Sequence, residues 1–158
     1  MAPQAYREVR ALSVAEAAYL AGLPDGEETV TLSRKHAGEM RHLVVSISNT
    51  ELRILEFAGV AIGAGTLTRK RTSKVHHTPS FAYTLWNRQA LALFAQIEPY
   101  MQSYKRARAQ LILRDYVRLT PRNGKYSATT RIERSAFESA VLSLLSGGRK
   151  KEPLQPSG

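Results

Sequence analysis

Residues 20–27 read Leu20-Ala21-Gly22-Leu23-Pro24-Asp25-Gly26-Glu27, and the placement of this stretch decides the fold. Val14 to Gly26 is rich in Ala and Leu, opens at Ser13 with Glu16 three residues on, and closes at glycine. That pattern predicts a helix with a capped start and a defined stop. Ala18, Ala21 and Gly22 lack bulk, so two copies of the helix can approach to backbone contact. Their ends would then converge and bring two Glu27 carboxylates toward one point, where like charges repel unless a divalent cation lies between them. Magnesium suits such a place, because it takes oxygen ligands, keeps several waters and needs only one or two carboxylates.

The rest of the composition agrees with a compact polyanion-binding unit. The chain has 158 residues, 43% of them hydrophobic, enough for one domain with a real core. A formal charge of +10 favours a nucleic-acid partner, since neutralising phosphates with Lys and Arg releases condensed counterions. Cysteine is absent, which excludes disulfides and thiolate metal sites. The longest apolar run, Phe57 to Ile62, is too short to span a bilayer, and the N-terminus lacks a signal-peptide core. These features predict a soluble, intracellular protein with no membrane partner, in the cytoplasm or nucleoid, or in an organelle matrix if organelle-encoded.

Along the chain a helix-and-hairpin order occurs almost twice. Glu28 to Lys35 and His42 to Asn49 predict a first hairpin, with Gly38 and charged residues between its strands. Glu51 to Val60 has helical spacing and ends at Gly63-Ala64-Gly65. Thr66 to Val75 and Ser80 to Trp86 predict a second strand pair, and Arg88 to Met101 resumes helical periodicity. Lys105 to Leu119 and Ile132 to Leu145 predict two further helices around an Asn123-Gly124 turn. The expected division is an N-terminal arm at 1–13, one domain at 14–146 and a flexible basic tail at 147–158.

With these residues in view, the chain resembles the LAGLIDADG homing endonucleases, whose common motif variant reads Leu-Ala-Gly-Leu-Ile-Asp-Gly-Glu-Gly. Residues 20–27 match it at every position but the fifth, where Pro24 stands, and Glu28 replaces the closing glycine. The likeness covers roughly residues 14–145 and includes a basic helix start, Tyr104-Lys105-Arg106-Ala107-Arg108-Ala109. Pro24 removes an amide that would bond back toward Leu20, and so predicts a helix that loosens or ends early. The resemblance implies an α+β fold, an αββαββα core with additional C-terminal helices on an antiparallel, saddle-shaped sheet. It further implies an intron-encoded nuclease that makes double-strand breaks with 3′ overhangs in a long, near-palindromic DNA target. One motif per chain implies a homodimer, with Ala18, Ala21, Gly22 and Asp25 at its interface. Glu27 and the Gly26 carbonyl are the implied ligands of Mg2+ or Mn2+. The metal polarises the phosphate and activates a water for in-line attack.

Alternation along the strands then sorts side chains by face. Thr29, Thr31, Ser33 and Lys35 share one face, with Val30 and Leu32 opposite. The resemblance sets His42, Val44 and Ser46 on DNA, with Leu43, Val45 and Ile47 as core. Thr66, Thr68, Lys70 and Thr72 form a third polar row, and Ala82 and Thr84 a fourth, opposite Phe81, Tyr83 and Leu85. An antiparallel ribbon of this kind fits the major groove. Residues 66–77 carry Arg69, Lys70, Arg71 and Lys74 and no acid; Arg69 and Arg71, on the opposite parity, are expected to hold phosphates from the sheet edge. His76-His77 lacks a third ligand at useful spacing and is read as a loop near phosphate rather than a zinc site.

Two residues keep alternatives. Asn49 aligns with a family residue that orders catalytic waters, or else caps the helix before Glu51. Lys105 aligns with a family lysine near the scissile phosphate, where a point charge stabilises the transition state, or else is a solvated helix-start lysine. At the level of function the competitor is a non-cleaving DNA-binding regulator or an RNA-splicing maturase of the same fold. A basic ribosome-associated protein would instead bind RNA by shape and form no dimer.

Overall fold

The computed structural model describes residues 6–25, 29–70 and 78–144. Gly26, Glu27, Glu28, Arg71, Thr72, His76, His77 and the 147–158 tail lie outside the described residues, and with them the expectations placed on each.

Helix α1 runs Val14–Asp25 and starts where the sequence predicts. Ser13 Oγ accepts from the Glu16 amide at 3.1 Å while Glu16 Oε1 accepts from the Ser13 amide at 2.9 Å, so two otherwise orphaned donors are satisfied reciprocally. The expected early stop at Pro24 is not seen, because α1 continues to Asp25. The missing proline amide falls in the final turn, where few further bonds depend on it. Strands β1 (Thr29–Ser33) and β2 (His42–Asn49) follow, then α2 (Leu52–Ile62), β3 (Thr66–Arg69), β4 (Phe81–Trp86) and α3 (Asn87–Ile97). A 3-10 turn at Glu98–Tyr100 leads to α4 (Tyr104–Asp115) and α5 (Ala128–Ser143). The mixed α+β architecture expected from the sequence is thus present.

The strands form one antiparallel sheet in the order β1-β2-β4-β3. Register follows the hydrophobic alternation: Val30 opposes Val45 and Leu32 opposes Leu43, while Val45 opposes Leu85 and Ile47 opposes Tyr83. All seven are buried against the helices; a one-residue slip would expose the whole set. Helix α2 contributes Leu55, Ala58 and Ile62 to that core, and α3 contributes Ala90, Leu93, Phe94 and Ile97 at helical spacing. Each Leu or Ile buried in this way contributes roughly 1.5–3 kcal/mol.

The turn after α2 needs glycine twice. Gly63 caps the helix at φ 76°. Gly65, at φ 94°, has the Tyr83 ring and hydroxyl where a Cβ would stand; that hydroxyl donates to the Ala64 carbonyl. Burial holds the Tyr83 hydroxyl protonated well above the ordinary phenol range.

Several boundaries differ from the sequence reading, among them the ends of α3, at Ile97 rather than Met101, and of α4, at Asp115 rather than Leu119. Helix α5 begins at Ala128 instead of Ile132, because Ser127 caps it by accepting from the Thr130 amide at 3.1 Å. Strand β1 ends at Ser33, so Lys35 lies in the hairpin loop and not in the strand row. Strand β3 is described to Arg69, and the Lys70 amide donates to the Ser80 carbonyl at 2.9 Å; residues 71–75 of the expected strand lie outside the described residues. Residues 6–13 form no helix or strand but are tied down, with Arg10 N bonded to Ile62 O and Leu12 N to Gln96 Oε1. Among the described residues no helix is long and apolar enough to cross a membrane.

Candidate nucleic-acid interface

With the helices packed on one face of the sheet, the other face is left open, and alternation decides what it carries. Thr31 and Val44 face one another there, as do Ser33 and His42 across the β1–β2 pair. Ser46 opposes Thr84, with their hydroxyls 3.5 Å apart, and Thr84 in turn opposes Thr66. Thr68 opposes Ala82. Ser33, His42, Thr66, Thr68 and Lys70 are exposed, while Thr31, Ser46 and Thr84 are half-buried. Val44 and Ala82 share the face but are each only 7% exposed, so they present little surface between the larger hydroxyl side chains. Arg69 is exposed on the edge strand. The same parity sets Ser48 and Trp86 on the open face, a signal available from alternation alone that the row-by-row reading missed. Trp86 is 48% exposed.

The helix that carries the motif presents two faces. Ala17, Leu20 and Ala21 are buried in the chain's own core, which corrects the expectation that Ala21 offers contact to a second copy. At 100° per residue Ala21 cannot share the outer face with Gly22. Ala18 and Gly22, one turn apart, do face outward, and a Cβ added at Gly22 meets nothing within 4 Å. Around them stand exposed apolar side chains: Val14 and Tyr19 on α1, and Phe57 and Val60 on α2. The Tyr19 and Phe57 rings meet edge to face at 5.3 Å.

Two further candidates lie at the end of β2 and the start of α4. Asn49 Oδ1 accepts from the Glu51 amide at 2.8 Å, a side-chain turn ahead of α2; the N-cap position itself is Glu51 and has no side-chain cap bond. Lys105 is only 5% exposed, which excludes the solvated-lysine alternative. It sits in the first turn of α4, with its ammonium 6.0 Å from the Tyr104 ring. Three residues later, Arg108 donates to the Val30 carbonyl at 2.9 Å and to the Leu144 carbonyl at 2.9 Å, holding the start of α4 against β1. Burial lowers the Arg108 pKa, opposed by Tyr104, yet the guanidinium remains a cation.

The expected metal donors, the Glu27 carboxylate and the Gly26 carbonyl, are hard oxygens that fit a cation of the magnesium kind. Among the described residues no group of three His, Asp or Glu side chains could hold a metal by itself.

No family model matches the chain, and no curated protein matches it. Solved structures do. The homing endonuclease I-CvuI bound to its target with calcium superposes at a TM-score of 0.68, with 18% identity over 88% of this chain and 87% of that one. I-CvuI on the I-CreI target with magnesium, its DNA not cleaved, gives 0.67 and 20% identity over 87% and 86%. The archaeal intron-encoded homing endonuclease I-Vdi141I, complexed with DNA, gives 0.61 and 16% over 89% and 90%.

Proposed function

We infer that this chain, whose fold is that of the LAGLIDADG homing endonucleases, is a site-specific DNA endonuclease that works as a homodimer and requires a divalent metal. The observation that carries this reading is continuity: the helix bearing residues 20–25 of the motif leads into β1, the first strand of a sheet whose open face carries Thr, Ser, His and Lys side chains. Two strand pairs of that width suit the major groove, where hydroxyls and a lysine read base edges and Arg69 reaches phosphate.

Dimerisation rests on the outward Ala18 and Gly22, on the apolar Val14, Tyr19, Phe57 and Val60 around them, and on the single motif per chain. A twofold dimer reads two related half-sites, so the target is near-palindromic and about two helical turns long. Each chain supplies one Glu27 carboxylate and one Gly26 carbonyl to the metal. Bound Mg2+ or Mn2+ would neutralise charge on the scissile phosphate and supply a water nucleophile for in-line hydrolysis, leaving 3′ overhangs. Lys105, buried at the α4 start that Arg108 holds against β1, adds positive charge for the developing phosphorane. Asn49 holds the turn before α2, and any part it takes in ordering water is through its position at the end of β2.

The test is a cleavage selection from a randomised duplex library with magnesium, followed by the enriched target and the Glu27→Gln variant. Wild type should sediment as a dimer and cut both strands. The variant should bind with unchanged affinity and show no cutting above background. Cutting by Glu27→Gln at the wild-type rate would remove the assignment, and tight binding by wild type without cleavage would favour a regulator or maturase of this fold.

A further inference from the structure

Beyond the sheet, a broad concavity lies at the far end of the open face. It is a groove of about 1160 Å³ between the β1–β2 loop, the β4–α3 junction and the segment joining α4 to α5. His42 and Trp86 line it, and both belong to the open face, one at the first residue of β2 and one at the last residue of β4. The groove is therefore an extension of the DNA-facing surface. At roughly 3.3 Å per residue it stands about 13 Å along β2 from Ser46, the partner of Thr29 at the start of β1.

Its walls are cationic. Arg88, Arg122 and Arg131 come from three separate segments, and Glu39 is the one acid lining it among the described residues. None of these three guanidiniums has a hydrogen bond or ion pair to another described residue. Arg41 and Arg134 also line the groove, but they are held by the fold: Arg134 donates to the Arg41 carbonyl at 2.6 Å, and the Arg41 amide donates to Glu138 at 3.0 Å. This clamp fixes the residue before His42, while Arg122 and Arg131 are exposed and Arg88 half-buried along the groove.

We propose that this groove binds the phosphodiester backbone of duplex DNA flanking the stretch read by the sheet, with Arg88, Arg122 and Arg131 as the phosphate ligands. The inference rests on the reading of the chain as a DNA endonuclease. Guanidinium forks match phosphate oxygens bidentately, whereas a small-molecule site would enclose its ligand and orient it with convergent polar groups. The continuity with His42 and Trp86 favours the duplex already on the sheet over a separate partner. These contacts carry no sequence information; they lengthen the footprint and fix the register of the sheet in the groove.

The experiment measures binding of a mixed-sequence duplex of about 30 base pairs, three turns, across a salt series without magnesium. It compares wild type with Arg88→Gln/Arg122→Gln/Arg131→Gln and with the same three positions changed to Lys. The Gln variant should lower the slope of log affinity against log salt by about 0.9 for each phosphate left unneutralised, two to three units per bound subunit. The Lys variant should keep most of the slope, which separates charge from folding. Equal slopes for wild type and the Gln variant overturn the proposal while leaving the endonuclease reading intact. Failure of wild type to bind duplex at low salt overturns that reading and this inference with it. A Gln effect on a structured RNA of equal length but not on the duplex would assign the groove to RNA and overturn the proposal.

Discussion

Two basic regions of this molecule look alike in sequence and differ in what their charge does. Helix α4 and the turn after it carry Arg106, Arg108, Arg114 and Arg118, the densest run of arginine in the chain. Every one of them is engaged internally. Arg106 pairs with Glu98 at 3.1 Å, Arg114 with Asp115 at 2.8 Å, and Arg118 with Asp115 and Glu133 at 3.2 and 2.7 Å. Arg108 is bonded to two carbonyls. Around the groove, Arg88, Arg122 and Arg131 are scattered through the sequence and have no such partners among the described residues. A net charge of +10 is therefore not a map of where DNA binds. What a polyanion meets is the charge left over after the fold has used the rest.

The contrast can be broken most forcefully at Arg134, which lines the groove yet belongs with the engaged set. It is 1% exposed, lies 5.0 Å from the Tyr116 ring and 5.6 Å from the Phe137 ring, and donates to Leu119 O, the Thr120 hydroxyl and Arg41 O. Glu138 stands 3.7 Å from its Nε. Arg134→Met leaves Glu138 without that cation and three acceptors without their donor, so urea unfolding should show a loss of about 3–5 kcal/mol. Substituting Arg88, Arg122 or Arg131 should change stability by less than about 0.5 kcal/mol, as for surface positions without partners. Equal losses at both places would erase the distinction between engaged and free arginine.

A smaller effect is expected at Arg108. The guanidinium closes the outer edge of β1 by donating to the Val30 carbonyl, a group that edge strands otherwise leave open to another chain. Arg108→Gln should cost about 2 kcal/mol, two charge-assisted bonds partly replaced by water. It should leave the salt slope of DNA binding unchanged at a temperature where the variant is folded. A fall in that slope equal to one phosphate would mean that Arg108 serves DNA as well as the fold.

How much of this was legible beforehand depends on whether a feature is local. Ser13 with Glu16 and the alternation of Leu43, Val45 and Ile47 act over a few residues, and helix start, sheet face and register followed from them. Ala21 went wrong because smallness alone was read, without the 100° rotation that turns it inward while Ala18 and Gly22 face out. Helix α5 starts before Ile132 because the Ser127 cap outweighs the weak helical preference of the β-branched Thr129 and Thr130. The arginine pairings were hidden for a different reason. Glu98 and Glu133 lie eight and fifteen residues from their partners, and only tertiary packing brings them together.

The finest test concerns Asp115, which holds two arginines at once. Bonding to Arg114 first and Arg118 second keeps its carboxyl below the ordinary aspartate value of 3.8. A carboxyl depressed in the folded state contributes stability above the unfolded pKa and loses it as pH falls through the folded one. Asp115→Asn should therefore melt slightly below wild type near neutral pH, by about 2 °C or less because both arginine partners are solvent-exposed. The two melting curves should converge only when pH drops well under 3.8. The same variant releases Arg114 and leaves Arg118 only its pair with Glu133, without moving either onto the sheet's open face. If engagement alone keeps α4 off DNA, the salt slope of binding should steepen in Asp115→Asn; if position also matters, as the packing of α4 on the covered side of the sheet requires, the slope should stay at the wild-type value. An unchanged slope is the expected result.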